Sequence, residues 1–154
     1  MALNYLTVQD LLYINFEVTG GKQAFEFAKL EEAVNYQYAV GKSGDLVAQA
    51  ARFFRGFVKM APFASGNEAC AFIGLFVFLE ANGKSLDLAE CDVASWCESV
   101  WSGGVEARTA VMEKLVDSHA HEAHGVPNFA AITEDVIERY AIALSDISGV
   151  GVKA

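Results

Sequence analysis

The fold is decided by the stretch Lys59-Met60-Ala61-Pro62-Phe63-Ala64-Ser65-Gly66-Asn67-Glu68-Ala69-Cys70-Ala71, a short loop that leads directly into an apolar helix. An apolar segment, Leu46 to Val58, precedes the loop, and another, Ala69 to Leu79, follows it. Pro62 disfavours a helical conformation at the residue before it, so we expect an extended residue there and the end of the first helix. The second segment is apolar nearly all round, which is typical of a helix buried on every side. The stretch therefore predicts two packed helices joined by a loop, with the second at the centre of the protein.

The loop has the features of an anion-binding site. The first N–H groups of a helix lack partners within the helix, and the positive end of the helix dipole lies at the same place. Gly66 and Asn67 stand where the second helix starts. The same residues also serve simply to begin and cap a helix, and this second interpretation stays open. Glu68 is open in the same way, as a metal-binding acid or as a carboxylate that suits the first turn of a helix.

Composition and charge restrict the class of protein. The 154 residues are 53% hydrophobic and 20% charged, which predicts one well-packed domain. The net charge of -9 argues against nucleic acid and anionic membrane surfaces as partners, because both attract basic proteins. No apolar run approaches the roughly 20 residues that cross a bilayer, and no secretion signal is visible at the N-terminus. Three cysteines without zinc spacing, Cys70, Cys91 and Cys97, fit a reducing compartment, so we expect a cytoplasmic protein.

Hydrophobic spacing predicts an all-α fold of about six or seven helices. A small β-hairpin is expected near residues 37–44, and a short extended piece at Ser85-Leu86. The predicted helices are Thr7 to about Phe16, Gln23 to Tyr38 with Phe27 inward, Asp45 to Met60, Gly66 to Ala81, Asp87 to Val100, Val105 to Ala123, and a last helix that Thr133 caps and that runs to Ile147.

All three histidines lie in one short segment, at positions 119, 121 and 124. If this segment continues the sixth helix, Asp117, His121 and His124 share one face, with the i, i+4, i+7 spacing that a zinc site can use. The alternative is a solvated helix end, where histidines lie near the negative pole of the dipole.

A series of short motifs follows in a fixed order along residues 5–118. The motifs are Leu6-Thr7, Asp10-Leu11-Leu12, Asn15, Gly20-Gly21, Leu30-Glu31-Glu32-Ala33-Val34, Gln37, Gly41, Asp45-Leu46, Ala50-Ala51, Gly56-Phe57-Val58, Pro62-Phe63, Gly66-Asn67, Ala71, Phe78-Leu79 and Asn82-Gly83. This order resembles the Doc (death on curing) branch of the Fic/Doc superfamily. The resemblance implies a Doc-like (Fido) domain over residues 1–125, with residues 126–154 as a helical extension packed on it. It also implies transfer of AMP or phosphate from a nucleotide to a protein hydroxyl, with ATP and Mg²⁺ at the loop.

The family signature at this loop is H-P-F-x-(D/E)-G-N-(K/R)-R. In the family, the histidine is the general base, the acid holds Mg²⁺, and the basic pair neutralises charge in the transition state. Loss of a general base alone typically lowers the rate by about 10² to 10⁴. The scaffold positions match at Pro62, Phe63, Gly66 and Asn67, whereas Ala61 stands for the histidine, Ser65 for the acid, and Glu68 and Ala69 for the basic pair.

The resemblance therefore implies a catalytically degenerate protein with no catalytic residue and no cofactor. Phe63, Gly66 and Asn67 would be the remains of an anion loop, a vestigial ATP/Mg²⁺ site. We expect a protein-binding or regulatory module whose partner is another protein, for example an antitoxin-like one. The alternative is a divergent enzyme that still transfers AMP or phosphate to a protein hydroxyl. The family's peptide-binding flap would fall near Tyr38–Ser43, and Trp96 and Trp101 either line a groove or pack in the core.

Overall fold

The computed structural model of the protein describes residues 3–38, 44–118 and 127–151. These residues form eight α-helices and one two-stranded antiparallel sheet, which confirms the predicted, mostly helical class. Two 3₁₀ turns lie at Tyr36–Tyr38 and Glu90–Asp92. The elements in chain order are α1 (Val8–Thr19), α2 (Phe27–Asn35), α3 (Leu46–Met60), α4 (Asn67–Glu80), β1 (Lys84–Leu86), α5 (Val93–Trp101), α6 (Ala107–Lys114), β2 (Leu115–Asp117), α7 (Phe129–Arg139) and α8 (Ala141–Gly151).

Helix α4 is the centre of the protein, as the apolar run predicts. All of its residues except Glu68 are buried, and it packs against α1, α3, α7 and α8. At Gly74 the helices α3 and α4 lie close together, since a Cβ atom there would lie 3.0 Å from the ring of Phe53. Helix α3 supplies three fully buried phenylalanines to this contact, Phe53, Phe54 and Phe57. The pair α3–α4 therefore forms the core from which the loop at 61–66 emerges.

The tryptophans pack on this core. The ring of Phe54 lies 5.4 Å from that of Trp96 and 5.1 Å from that of Trp101, measured between ring centroids. The indole nitrogen of Trp101 also donates a hydrogen bond to the carbonyl of Phe54 at 3.3 Å. Both tryptophans therefore pack on the core through Phe54, and Trp101 also lines a cavity, so its position fits both interpretations.

The sheet lies away from the predicted hairpin. Strand β1 pairs with β2, with Ser85 opposite Val116, which confirms the extended piece at Ser85-Leu86. Near the predicted hairpin, Tyr36–Tyr38 is a 3₁₀ turn, and residues 39–43 lie outside the described residues. The helix predicted from Val105 to Ala123 is wrong beyond Lys114, because the chain there leaves the helix to pair with β1.

Two other helix predictions need correction. Helix α2 begins at Phe27 rather than Gln23, and Phe27 is exposed rather than inward. The predicted last helix is two helices, and Asn128 rather than Thr133 caps the first of them through its side-chain oxygen, which accepts from the N–H of Ala131 at 3.0 Å. Tyr140 separates α7 from α8, and its hydroxyl donates to the carbonyl of Leu88 at 2.8 Å. None of the helices that the structure describes is both long and apolar enough to cross a membrane.

Candidate functional site

The loop begins with a left-handed residue. Ala61 has φ 48°, the only positive φ outside glycine among the described residues. The sequence predicts an extended residue before Pro62, and this is wrong because the left-handed turn lets the N–H of Ala61 reach the carbonyl of Phe57 at 2.9 Å and so cap α3. Left-handed backbone costs an L residue about 1–2 kcal/mol. Ala61 is thus held by helix capping and carries only a methyl group.

Asn67 holds the loop in shape. Its side-chain oxygen accepts from the N–H of Phe63 at 3.0 Å, and its side-chain nitrogen donates to the carbonyl of Phe63 at 2.8 Å. The Asn67 side chain is buried, and both its oxygen and its nitrogen bond to the backbone of the loop. Asn67 is therefore a structural clamp in this conformation.

The segment before α2 covers one side of the loop. Phe25 and Phe63 form an antiparallel β-bridge. The N–H of Glu26 donates to the carbonyl of Pro62 at 3.1 Å, and the N–H of Ala64 donates to the carbonyl of Ala24 at 2.8 Å. The backbone groups of the loop that these bonds involve are consequently satisfied within the protein. This pairing also explains why α2 starts only at Phe27.

The second half of the loop is held by α1 and by the residues that follow it. The hydroxyl of Ser65 donates to the side-chain oxygen of Gln23 at 2.9 Å, and the carbonyl of Ser65 accepts from the amide of Asn15 at 3.1 Å. Gly66 has φ 81° and lies so close to Thr19 that a Cβ atom would overlap the Thr19 methyl group. Ser65 is thus engaged in hydrogen bonds that hold the loop in place.

Sequence reasoning did not identify Asn15, Thr19 and Gln23 as part of the site. Asn15 did carry a signal, because it lies on the buried face of α1 beside Leu11 and Ile14. A buried polar side chain requires a hydrogen-bond partner, and in this fold that partner is the loop.

Glu68, in the first turn of α4, lines a cavity of about 240 Å³. Glu98 of α5 lines the same cavity, together with Trp101 and Ile147. We call it the acidic cavity after Glu68 and Glu98. Gly66 provides no side chain to cap α4, so the positive end of the helix dipole is not offset by a capping side chain. The carboxylates of Glu68 and Glu98 nevertheless repel an anion that enters this cavity. Ala69 is buried, so its position offers no exposed side chain to a ligand.

An apolar cavity of about 460 Å³ adjoins the loop. Phe16 of α1, Phe25 and Phe63 line it, and we call it the phenylalanine cavity after these three residues. Phe16 and Phe25 are 44% and 42% exposed, which is unusual for large apolar side chains. Tyr13 lies at its edge and donates a hydrogen bond of 2.6 Å to Glu134, which raises the pKa of Tyr13 to about 12. The sequence analysis did not predict this cavity, because its walls come from segments that join only in the folded chain.

The predicted metal-binding face consists of Asp117 and two of the three histidines. Asp117 belongs to strand β2 and pairs with Lys84, so the predicted helical face of Asp117, His121 and His124 is wrong at its first member. His119, His121 and His124 lie outside the described residues. In residues 3–38, 44–118 and 127–151, no three His, Cys, Asp or Glu side chains cluster as metal ligands.

Comparison of this chain with family models, with curated proteins and with solved structures found no match.

Proposed function

We propose that this protein is a catalytically inactive, Doc-like binding module whose ligand is another protein. The Doc-like part of this proposal rests on the resemblance of its motifs to those of Doc proteins. The observation that carries the loss of activity is the hydrogen bonding of the loop: Asn67, Ser65 and the backbone at Pro62–Ala64 are satisfied within the chain.

The chemistry of the loop supports the same conclusion. Transfer of AMP or phosphate to a hydroxyl needs a base near the acceptor and cations around the phosphates. Ala61 provides no base, and Ser65 provides no carboxylate. Glu68 adds a negative charge beside Glu98 in the acidic cavity, where a nucleotide phosphate would be repelled.

The phenylalanine cavity is the surface that we assign to the partner. Concave sites lined by aromatic rings bind apolar anchor residues, and large aromatic side chains contribute most of the affinity in many interfaces. Its two exposed rings, on Phe16 and Phe25, are those that a partner would cover.

Nucleotide binding tests the loss of activity. We expect ATP with Mg²⁺ to leave the melting temperature unchanged, because residues 61–69 carry no basic side chain to bind the phosphates. A ligand present at 100 times its dissociation constant adds about 2.7 kcal/mol, which raises the melting temperature of a domain of this size by roughly 5–10 °C. A shift of that size would contradict the proposal and favour the divergent transferase.

The binding surface is tested with two matched variants. Phe16→Ser removes a ring of the phenylalanine cavity, whereas Phe27→Ser removes an exposed ring outside it. We expect a protein captured from native cells by the wild type to be retained by Phe27→Ser. Its affinity for Phe16→Ser should fall about tenfold or more, as for a central aromatic anchor. Equal retention by both variants would refute the assignment of the cavity.

A further inference from the structure

A third concave surface lies between α3 and the turn that leads into α6. It encloses about 800 Å³, and its cationic side chains are Arg52, Arg55, Lys59 and Arg108. We call it the cationic groove after these four residues. The chain has 11 Lys and Arg against 20 Asp and Glu, so this concentration of positive charge opposes the overall balance.

The charges of the groove are available to a ligand. Arg52, Arg55 and Lys59 are exposed, and within the described part of the chain none of the three pairs with an acid. Arg52 lies over the ring of Tyr36, with its guanidinium carbon 5.3 Å from the ring centroid. This cation–π contact orients the side chain while its N–H groups stay accessible.

The acids at the edges of the groove are already engaged. Arg108 pairs with Asp45 at 3.4 Å, a long contact between two exposed groups. Glu106 also lines the groove, but its carboxylate accepts from the hydroxyl of Thr109 at 2.7 Å and from its N–H at 2.9 Å, and these bonds lower the pKa of Glu106. Glu106 therefore stays ionised, and the surplus of positive charge in the groove rests on its four cationic side chains outnumbering the carboxylates of Asp45 and Glu106.

The spacing of the charges fits an extended chain. Arg52, Arg55 and Lys59 follow each other at i, i+3 and i+7 on one face of α3, which spreads them over about 10 Å at 1.5 Å per residue. Alternate side chains of an extended peptide lie roughly 6.6 Å apart, so carboxylates two and four residues apart span a similar distance. A single compact anion would reach only part of this row.

Local packing fixes the middle of the row. Gly103 has φ 86°, and a Cβ atom there would lie 3.2 Å from the guanidinium of Arg55. The backbone of the turn at Gly103 thus lies close to Arg55, whose planar guanidinium lines the groove. A guanidinium binds a carboxylate through two parallel hydrogen bonds.

We propose that the cationic groove binds an extended acidic segment of another protein, with its carboxylates on Arg52, Arg55 and Lys59. Charge complementarity selects this ligand. Nucleic acid is disfavoured because its charge continues beyond the groove onto a protein with a net charge of -9, whereas a short acidic segment is confined to the groove. The proposal does not depend on the phenylalanine cavity or on the loss of transferase activity.

The test uses a fluorescein-labelled octaglutamate peptide, with a labelled octamer of alternating Gly and Ser as the neutral control. Fluorescence anisotropy should show binding of the acidic peptide alone, and the affinity should fall as salt is raised, because exposed pairs are screened. Arg55→Gln with Lys59→Gln should weaken binding about five- to tenfold. Lys29→Gln with Lys84→Gln removes the same charge outside the groove and should leave binding unchanged.

Four results would overturn the proposal: no binding by the folded wild type, equal weakening by both double variants, tighter binding of single-stranded DNA or triphosphate than of octaglutamate, or a dimer that Arg55→Gln with Lys59→Gln dissociates. The last result would identify the groove as a contact between copies of this chain. Circular dichroism melting of each variant verifies that it is folded.

Discussion

Gly66 offers a quantitative test of the loop, because two separate costs meet at this residue. Its φ of 81° is left-handed, and the space beside it is filled by the methyl group of Thr19 and, at 3.2 Å, by the amide of Asn15. Gly20 has nearly the same φ, 78°, but no atom within 4 Å of the position of a Cβ. The two glycines therefore separate the cost of backbone conformation from the cost of packing.

Gly20→Ala should lower the free energy of unfolding by about 1–2 kcal/mol, the cost of left-handed backbone for an L residue. Gly66→Ala should incur the same cost and, in addition, about 1–3 kcal/mol for forcing a methyl group into filled space. Thr19→Ser removes the obstructing methyl group but keeps the hydroxyl, which donates to the carbonyls of Asn15 and Gly21 at 2.8 and 2.9 Å. In the double variant with Gly66→Ala, Thr19→Ser should therefore remove the packing cost, and only the cost of the left-handed backbone should remain.

Urea denaturation followed by the fluorescence of Trp96 and Trp101 measures all four variants. The expected signature is a favourable coupling of about 1–2 kcal/mol between Gly66→Ala and Thr19→Ser. If Gly66→Ala and Gly20→Ala cost the same, or if the two substitutions are additive, α1 does not press against the loop as described.

Two further predictions concern buried groups. Asn67→Ala should lower the free energy of unfolding by about 1–3 kcal/mol, because the N–H of Phe63 loses the side-chain oxygen to which it donates. The control Asn35→Ala, at the exposed end of α2, should have little effect. A thiol reagent should modify only Cys91 in the native protein and all three cysteines in urea, because burial raises the pKa of the Cys70 and Cys97 thiols. Modification of more than one thiol in the native state would contradict the burial of these two.

Local patterns in the sequence were sufficient for the core. Helix α4 was predictable because its apolar run is bounded by Pro62 and Gly66 on one side and by Asn82-Gly83 on the other. The end of α1 at Gly20 was signalled in the same way by the glycine pair. These signals act over a few residues and do not depend on the rest of the fold.

The contacts that define the site join distant parts of the chain. The bridge between Phe25 and Phe63 and the pairing of Ser85 with Val116 leave no periodic pattern in either segment. The strand at 115–117 is an example: Leu115 and Val116 continue the apolar spacing of α6, and only their partner strand makes them extended. The sequence left Asn67 open between an anion contact and a helix cap, because its place in the motif says nothing about which groups its amide contacts.

The connection between α3 and α4 has a kinetic consequence. The loop joins α3 to the buried helix α4, and the N–H of Phe63 donates to the buried amide of Asn67, so this N–H becomes exposed to solvent only when the start of α4 opens. We expect the amide of Phe63 to exchange hydrogen with solvent nearly as slowly as those of α4 itself. A partner that docks in the phenylalanine cavity would meet one wall that is already ordered. Its association would then be limited by diffusion and orientation, at about 10⁵–10⁷ M⁻¹s⁻¹, rather than by closure of the loop.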